Sequence, residues 1–329
     1  MKKLFVACLA AVFMFLGANL LHAEERKSAD SIAERVSVIE AEREDLLDRL
    51  NKLVEVSGYV DGEFVMSDQA GKNNQFRLHH LSLFFKKQVT EQWRFFSEIE
   101  FEDAPFLEAS DGELDGGSDG KLFVEVMTIE YLYNPRLNAS MGRFLTPAGI
   151  WSIEHYPPFA ATQERPLHIR NIFPQVTDGL QVNGTANLGD TVATYYLYAG
   201  NGEGNAGSGD NNEDKSMGAR VKFKLPLLTK LELGLSGFSD TNSSDTEKIA
   251  YGADISAQWR NLRFQGEYAL GDYDSATGTD YQRSGYYGQF IYGLGNLDLI
   301  YRYDWYEPSD EADDDQKTVN TAAINYHFT

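Results

Sequence analysis

The chain has 329 residues, 50 acidic against 29 basic side chains, and a formal net charge of −21. That balance excludes a basic nucleic-acid footprint. Its single cysteine, Cys8, lies within the first apolar run, so the rest of the chain offers no disulfide and no thiolate metal site.

The chain opens Met1-Lys2-Lys3 and continues into an apolar run over 4–21, with Leu21-His22-Ala23 as an imperfect cleavage site. Residues 1–23 read as a secretory signal peptide. The alternative is an uncleaved anchor, for which the apolar run is short. Residues 24–54 hold the one clearly helical pattern that follows. Ile32, Val36, Ile39, Leu46, Leu50 and Leu53 recur at alternating spacings of four and three, with Arg43 in the missing seam position. Within it, Arg35-Val36-Ser37-Val38-Ile39-Glu40 is similar to the short trimerisation motif Arg-h-x-x-h-Glu, where h is apolar. So short a seam is marginal in isolation and is stabilised by association. The segment is therefore expected to trimerise. The alternative is a single amphipathic helix at the periplasmic rim or in a lumen.

Residues 55–329 carry fourteen strand-like runs. Their connectors alternate between short (88–90, 134–136, 188–190, 226–228, 260–261, 293–296) and long (67–74, 105–121, 146–177, 201–215, 239–247, 271–280, 307–316). A transmembrane antiparallel β-barrel alternates in this way, with turns on the periplasmic side and loops outside. The side chains agree. From Trp93 to Glu102 one face reads Trp, Phe, Ser, Ile, Phe and the other Arg, Phe, Glu, Glu, Glu. Leu297, Leu299, Tyr301, Tyr303 and Trp305 share one face of a later run, opposite Asp298, Arg302 and Asp304. Such period-two strands place apolar groups in lipid and polar groups in water. In a water-soluble barrel the charged face would be buried. Tyr59, Trp93, Tyr131, Tyr133, Trp259, Tyr303 and Trp305 are assigned to interfacial girdles. A barrel of fourteen strands is wide enough for a water-filled lumen.

Several long connectors are acidic, as in Asp210-Asn211-Asn212-Glu213-Asp214 and 310–315. They read as solvated loops, or as sites for divalent cations that bridge lipopolysaccharide phosphates, or as anion-repelling rims. The third long connector, 146–177, differs. It contains Ile150, Trp151, Ile153, Phe159, Leu167, Ile169, Ile172 and Phe173, which a free surface loop does not need. It is expected to fold inward and to line a constriction with Glu154, His155, Glu164, Arg165, His168 and Arg170. The alternatives are packing at a subunit interface or capping of the barrel. Arg77, His80, Glu98, Glu100, Arg143 and Arg302 complete the expected pore lining.

Gly142-Arg143-Phe144-Leu145-Thr146-Pro147-Ala148-Gly149 and Phe76-Arg77-Leu78-His79-His80-Leu81-Ser82-Leu83-Phe84-Phe85 resemble the phosphate-selective porin O and P family of trimeric Gram-negative porins. That resemblance implies a homotrimer of sixteen-stranded barrels, an inward-folded third loop and an arginine-lined pore. Two departures stand out. His79, His80 and Ser82 occupy a stretch that is arginine-rich in the family, and Glu98, Glu100 and Glu102 face inward next to it. Arg77, Arg143, Arg165 and Arg170 offer an anion path, whereas the acids favour cations. The other departure is the end: Ile324-Asn325-Tyr326-His327-Phe328 has the alternation of a terminal strand but Thr329 follows. Fourteen strands satisfy parity, while the resemblance implies two more after this stretch.

The expected function is passive diffusion of small hydrophilic solutes or ions across the outer membrane of a Gram-negative bacterium. The expected partners are two further copies of the chain, membrane lipid and lipopolysaccharide. A phosphate- or anion-selective channel is the narrower alternative. A barrel enzyme or an adhesin is the alternative of another class, and no Gly-x-Ser-x-Gly stretch supports the enzyme. No cofactor, metal ligand or catalytic residue is singled out.

Overall fold

The computed structural model describes Glu40, Arg43 and residues 53–328, apart from 69–70, 72, 104–106, 111–112, 117–119, 203–209, 211 and 227–229. The expected signal peptide lies outside the described residues, and so do Ile32, Arg35, Val36, Ile39, Leu46 and Leu50 of the heptad seam. Glu40 and Arg43 are helical and exposed, and Leu53 is exposed. The chain divides into a unit Met1–Val54 and a unit Glu55–Thr329.

The second unit is an all-β structure of sixteen strands. These are β1 (Glu55–Val65), β2 (Gln75–Gln88), β3 (Trp93–Glu102), β4 (Leu107–Ser110), β5 (Glu113–Gly116), β6 (Lys121–Asn134), β7 (Leu137–Leu145), β8 (Val176–Leu188), β9 (Thr191–Gly200), β10 (Ser216–Leu225), β11 (Lys230–Thr241), β12 (Thr246–Trp259), β13 (Leu262–Ser275), β14 (Tyr281–Leu294), β15 (Leu297–Glu307) and β16 (Lys317–Tyr326). Fourteen of them form one antiparallel meander in which each strand pairs with its neighbour in the chain. β4 and β5 make a separate hairpin within the β3–β6 connector. β1 and β16 are the two edges of the large sheet.

Burial along the strands is the reverse of that in a soluble protein. On β15, Leu297, Leu299 and Tyr301 are exposed, whereas Arg302 and Asp304 are each only 1% exposed. Glu98 and Glu100 of β3 and Glu125 of β6 are buried as well. Charge inside and an apolar band outside mark a barrel made for lipid.

Strand pairing runs further than the connector pattern predicts. β11 and β12 pair as far as Thr241↔Glu247, and β13 and β14 as far as Tyr273↔Tyr281. Two of the expected long loops, 239–247 and 271–280, are thus short turns above extended hairpins. Asn134 Oδ1 accepts from the backbone N–H groups of Arg136 and Leu137 at 2.8 and 3.0 Å and shapes the short β6–β7 turn. Trp93 and Tyr131, whose rings lie 4.9 Å apart, sit near the short-turn end, as a girdle requires. Tyr59 does not belong to a girdle. It faces inward and donates to Glu100 at 3.3 Å.

Two β-bulges interrupt the alternation where the interior is most polar. In the β1–β2 ladder Asp61 pairs with His80 and Gly62 with Leu78, so His79 is the extra residue. In the β3–β6 ladder Glu98 pairs with Val126 and Ile99 with Val124, so Glu125 is extra. A bulge re-aims a side chain. Here each adds a titratable group to the inner face.

Candidate functional site

The connector between β7 and β8, residues 146–175, is folded into the barrel. Its apolar side chains form the core of the molecule. Ile172 is 0% exposed, and Ala148, Ile172 and Phe173 cluster with Phe144, Tyr198, Phe238, Ala250, Ala269 and Tyr306 of the wall. Trp151 and Ile169 pack against Tyr287. Burying each large side chain contributes about 1.5–3 kcal/mol, which answers why so apolar a sequence sits in a long loop. Phe159 is the exception and is exposed. Gly149 has φ +64°, and a Cβ there would run into the Glu267 carboxylate. That close approach lets the Trp151 backbone N–H donate to Glu267 Oε1 at 2.7 Å, alongside the Tyr287 hydroxyl at 2.7 Å.

Polar anchors then pin the loop around the barrel. The Arg302 guanidinium donates to Asp304 at 2.8 Å, to the Glu164 carbonyl at 2.8 Å and to the Thr162 hydroxyl. Asn325 of β16 donates to the Ala161 carbonyl at 3.0 Å, and Gln163 donates to Asp61 of β1 at 2.6 Å. Residues 161–163 therefore bond to both edge strands of the sheet. Tyr156 donates to Glu98 Oε2 at 3.0 Å, and its ring meets those of Tyr59 and Phe84. His155 Nε2 lies 3.3 Å from Glu125.

The two halves of the inner wall carry charge differently. On β10–β12 the charges are matched: Arg220 grips Asp254 through two hydrogen bonds of 2.7 and 3.1 Å, and Lys222 pairs with Glu232 at 3.1 Å. On β1–β3 and β6, Asp61, Glu98, Glu100, Glu102 and Glu125 gather with His79 and His80, whose rings are 3.7 Å apart. His79 and His80 approach Asp61 at 3.1 and 3.4 Å, and His80 approaches Glu100 and Glu102 at 3.7 and 3.8 Å. Facing this acidic wall are two loop arginines. Arg165 sits over the Trp151 ring at 5.7 Å. Arg170 holds a left-handed backbone at φ 67°, uncommon for a side chain of its size. Burial lowers the pKa of both, that of Arg170 to about 10, while Glu100, Glu102 and Glu125 pull the other way.

The expected lining residues separate into three sets. His155, Arg165 and Arg170 meet His80 and Glu100 across a small cavity of about 30 Å³, which Tyr59, Gln163 and Ala160 also border, while Glu98 lies outside it against Tyr156. Glu154 stands on the other side of the loop, in a cleft beside Arg220 and Lys222, and burial raises its pKa. Arg143, His168 and Arg302 are engaged in the framework. Arg143 makes a bidentate pair with Asp178 at 2.6 and 2.7 Å. His168 is 4% exposed, stacks on Tyr287 and is pushed down to about 4 by burial and by Arg302. Arg77 binds Glu63 and Asp103, both at 2.8 Å, and the Glu164 carbonyl is held by Arg302. Glu125, Tyr156 and Glu267 were not among the expected lining. Glu267 shares the polar alternation of Arg263 and Gln265, which was legible. Glu125 is out of phase because of its bulge.

No family model matches the chain. It is 29% identical over 245 residues to an uncharacterised protein of Aquifex aeolicus, covering 67% of this chain, and it spans about half, 53%, of that relative. Among solved structures it is similar to an anion-selective porin from Comamonas acidovorans, with TM-score 0.59, 15% identity, and 82% of this chain and 83% of that chain covered. The fold is thus that of a porin-type β-barrel.

Proposed function

We propose that the protein is an outer-membrane porin through which small hydrophilic solutes or ions diffuse passively, with residues 146–175 narrowing the lumen. One observation carries this reading: the loop hydrogen-bonds to β1, β3, β6, β13, β15 and β16 from inside, so whatever space remains lies between it and a charged wall. A loop that capped the barrel would not contact Glu98 and Glu267, buried residues on opposite parts of the sheet. The proposal includes delivery by a cleaved signal peptide over residues 1–23, a periplasmic oligomerisation helix over 24–54 and a homotrimer in the outer membrane. Glu100, Glu102 and Asp61 oppose Arg165 and Arg170 across the narrow part, so selectivity is weak, with the two signs partly cancelling. An anion-selective pore is the runner-up, favoured by the two loop arginines and by what the Comamonas relative is said to be.

Planar bilayers test the proposal. Purified protein is expected to give stepwise, ion-permeable openings, and its absence of steps would end the porin reading. Reversal potential in a salt gradient then measures preference; a strong anion preference would favour the runner-up. Deleting residues 28–52 tests the helix, since an unchanged SDS-resistant trimer would make it dispensable for assembly.

A further inference from the structure

The acidic wall holds three carboxylates that nothing above explains. Glu98 and Glu100 are two apart on one face of β3, and the bulge adds Glu125 from the neighbouring β6. One oxygen atom of each lies within 4.8 Å of the others. All three are buried, at 0%, 3% and 1% exposure. Among the described residues, no lysine or arginine forms an ion pair with any of them. The basic groups within 4 Å are imidazoles, His155 at 3.3 Å from Glu125 and His80 at 3.7 Å from Glu100, with Arg165 and Arg170 standing further off on the loop.

Their hydrogen bonds leave a gap on one side. Tyr156 donates to Glu98 Oε2, Ser82 and Tyr59 donate to Glu100 Oε2 at 2.9 and 3.3 Å, and Gln175 donates to Glu125. Glu98 Oε1 is buried with no hydrogen-bond partner. A buried carboxylate oxygen without a donor is costly, and three adjacent carboxylates repel one another. A cation resolves both problems. Ca²⁺ takes oxygen ligands at about 2.3–2.6 Å, so ligands across the ion stand at most about 4.6–5.2 Å apart. The spread of the three oxygen atoms falls within that span, and the donors are oxygen throughout, as a hard cation prefers.

We infer that Glu98, Glu100 and Glu125 form a binding site for a hard divalent cation of the calcium class on the inner wall. Tyr156 contacts Glu98 from the loop, and His155 contacts Glu125. The ion therefore sits under the loop and stiffens its seat against β3 and β6. The site does not depend on the pore reading, because binding is measured on the folded protein in detergent without reference to conduction.

The experiment uses full-length protein folded in detergent and stripped with EDTA. Terbium(III), excited through the nearby tyrosines, is titrated in, and Ca²⁺ is then used to displace it. Wild type is expected to show one saturable, calcium-competed site per chain above the weak background of the acidic loops. Asp274→Asn, which removes an exposed rim carboxylate, is expected to leave that site unchanged. Glu98→Gln is expected to weaken it by roughly tenfold or more. Heat-modifiable gel migration checks that the variant is folded, and Glu125→Gln serves if Glu98→Gln is not. Calcium is also expected to raise the unfolding temperature of wild type more than that of the variant. A folded carboxamide variant that titrates like wild type would overturn the assignment. So would a wild type with no saturable site, in which case the carboxylates share protons instead.

Discussion

The two halves of the inner wall place similar residues in opposite circumstances. On β10–β15 the buried charges are held in place, Arg220 by Asp254, Arg302 by Asp304 and the Glu164 carbonyl, and Glu267 by the Trp151 N–H and the Tyr287 hydroxyl. On β1–β3 and β6 the carboxylates outnumber the cations in contact with them, and their counter-charges, Arg165 and Arg170, stand across a cavity on the loop. Matched pairs hold geometry, whereas an unmatched surplus creates a field. One wall therefore serves as framework, and the other carries the surplus of negative charge.

The largest effect is expected from breaking the framework wall. Arg302→Ala leaves Asp304 buried without its partner and frees Thr162 and the Glu164 carbonyl. It should cost about 3–5 kcal/mol, seen as a lower urea midpoint for loss of the folded gel band, together with noisier or larger single-channel steps. A stability equal to wild type would show that the ion pair is not an anchor. Ile172→Ala opens a cavity at the fully buried contact between loop and wall and should cost about 2–5 kcal/mol by the same assay.

Acid should act on the framework through His168. Its folded pKa of about 4 lies below the ordinary 6.5, so the unfolded chain binds the proton first as pH falls. The contribution is complete above about pH 6.5 and is lost progressively toward pH 4. Its size is of order 3 kcal/mol. Urea midpoints measured between these limits should fall with pH, and His168→Phe should flatten the slope. An unchanged slope would clear His168 of the effect.

The smallest effects belong to the other wall. Glu102→Gln should shift the reversal potential toward anions, and Arg170→Ala should shift it toward cations, each by a few millivolts, with stability within about 0.5 kcal/mol of wild type. Large stability losses from these two would erase the distinction between the walls.

The strand ladder and its inside-out polarity were readable because barrel strands repeat every two residues, and both faces of that repeat are chemically marked. The burial of Ile172 and Phe173 against the wall was readable too, since such side chains have no reason to lie in a solvated loop. What escaped were the positions where the period breaks. Glu125 follows Val124 and precedes Val126, in a run whose phase points it outward; only the bulge brings it in. Tyr59 fitted an interfacial girdle by type alone and is drawn inward by Glu100. Arg143 and Arg302 were assigned to the lining by residue type, and partners distant in sequence, Asp178 and Thr162, hold them in the framework.

The short stretch 161–163 carries a mechanical consequence. By bonding to β1 on one side and β16 on the other, it acts as a clasp across the one seam in the sheet that carries no strand ladder. The segment proposed to narrow the lumen is therefore also a fastener of the sheet's two edges. Shortening it would remove the bonds to both edge strands at the same time, so the length of this stretch and the closure of the sheet are tied together.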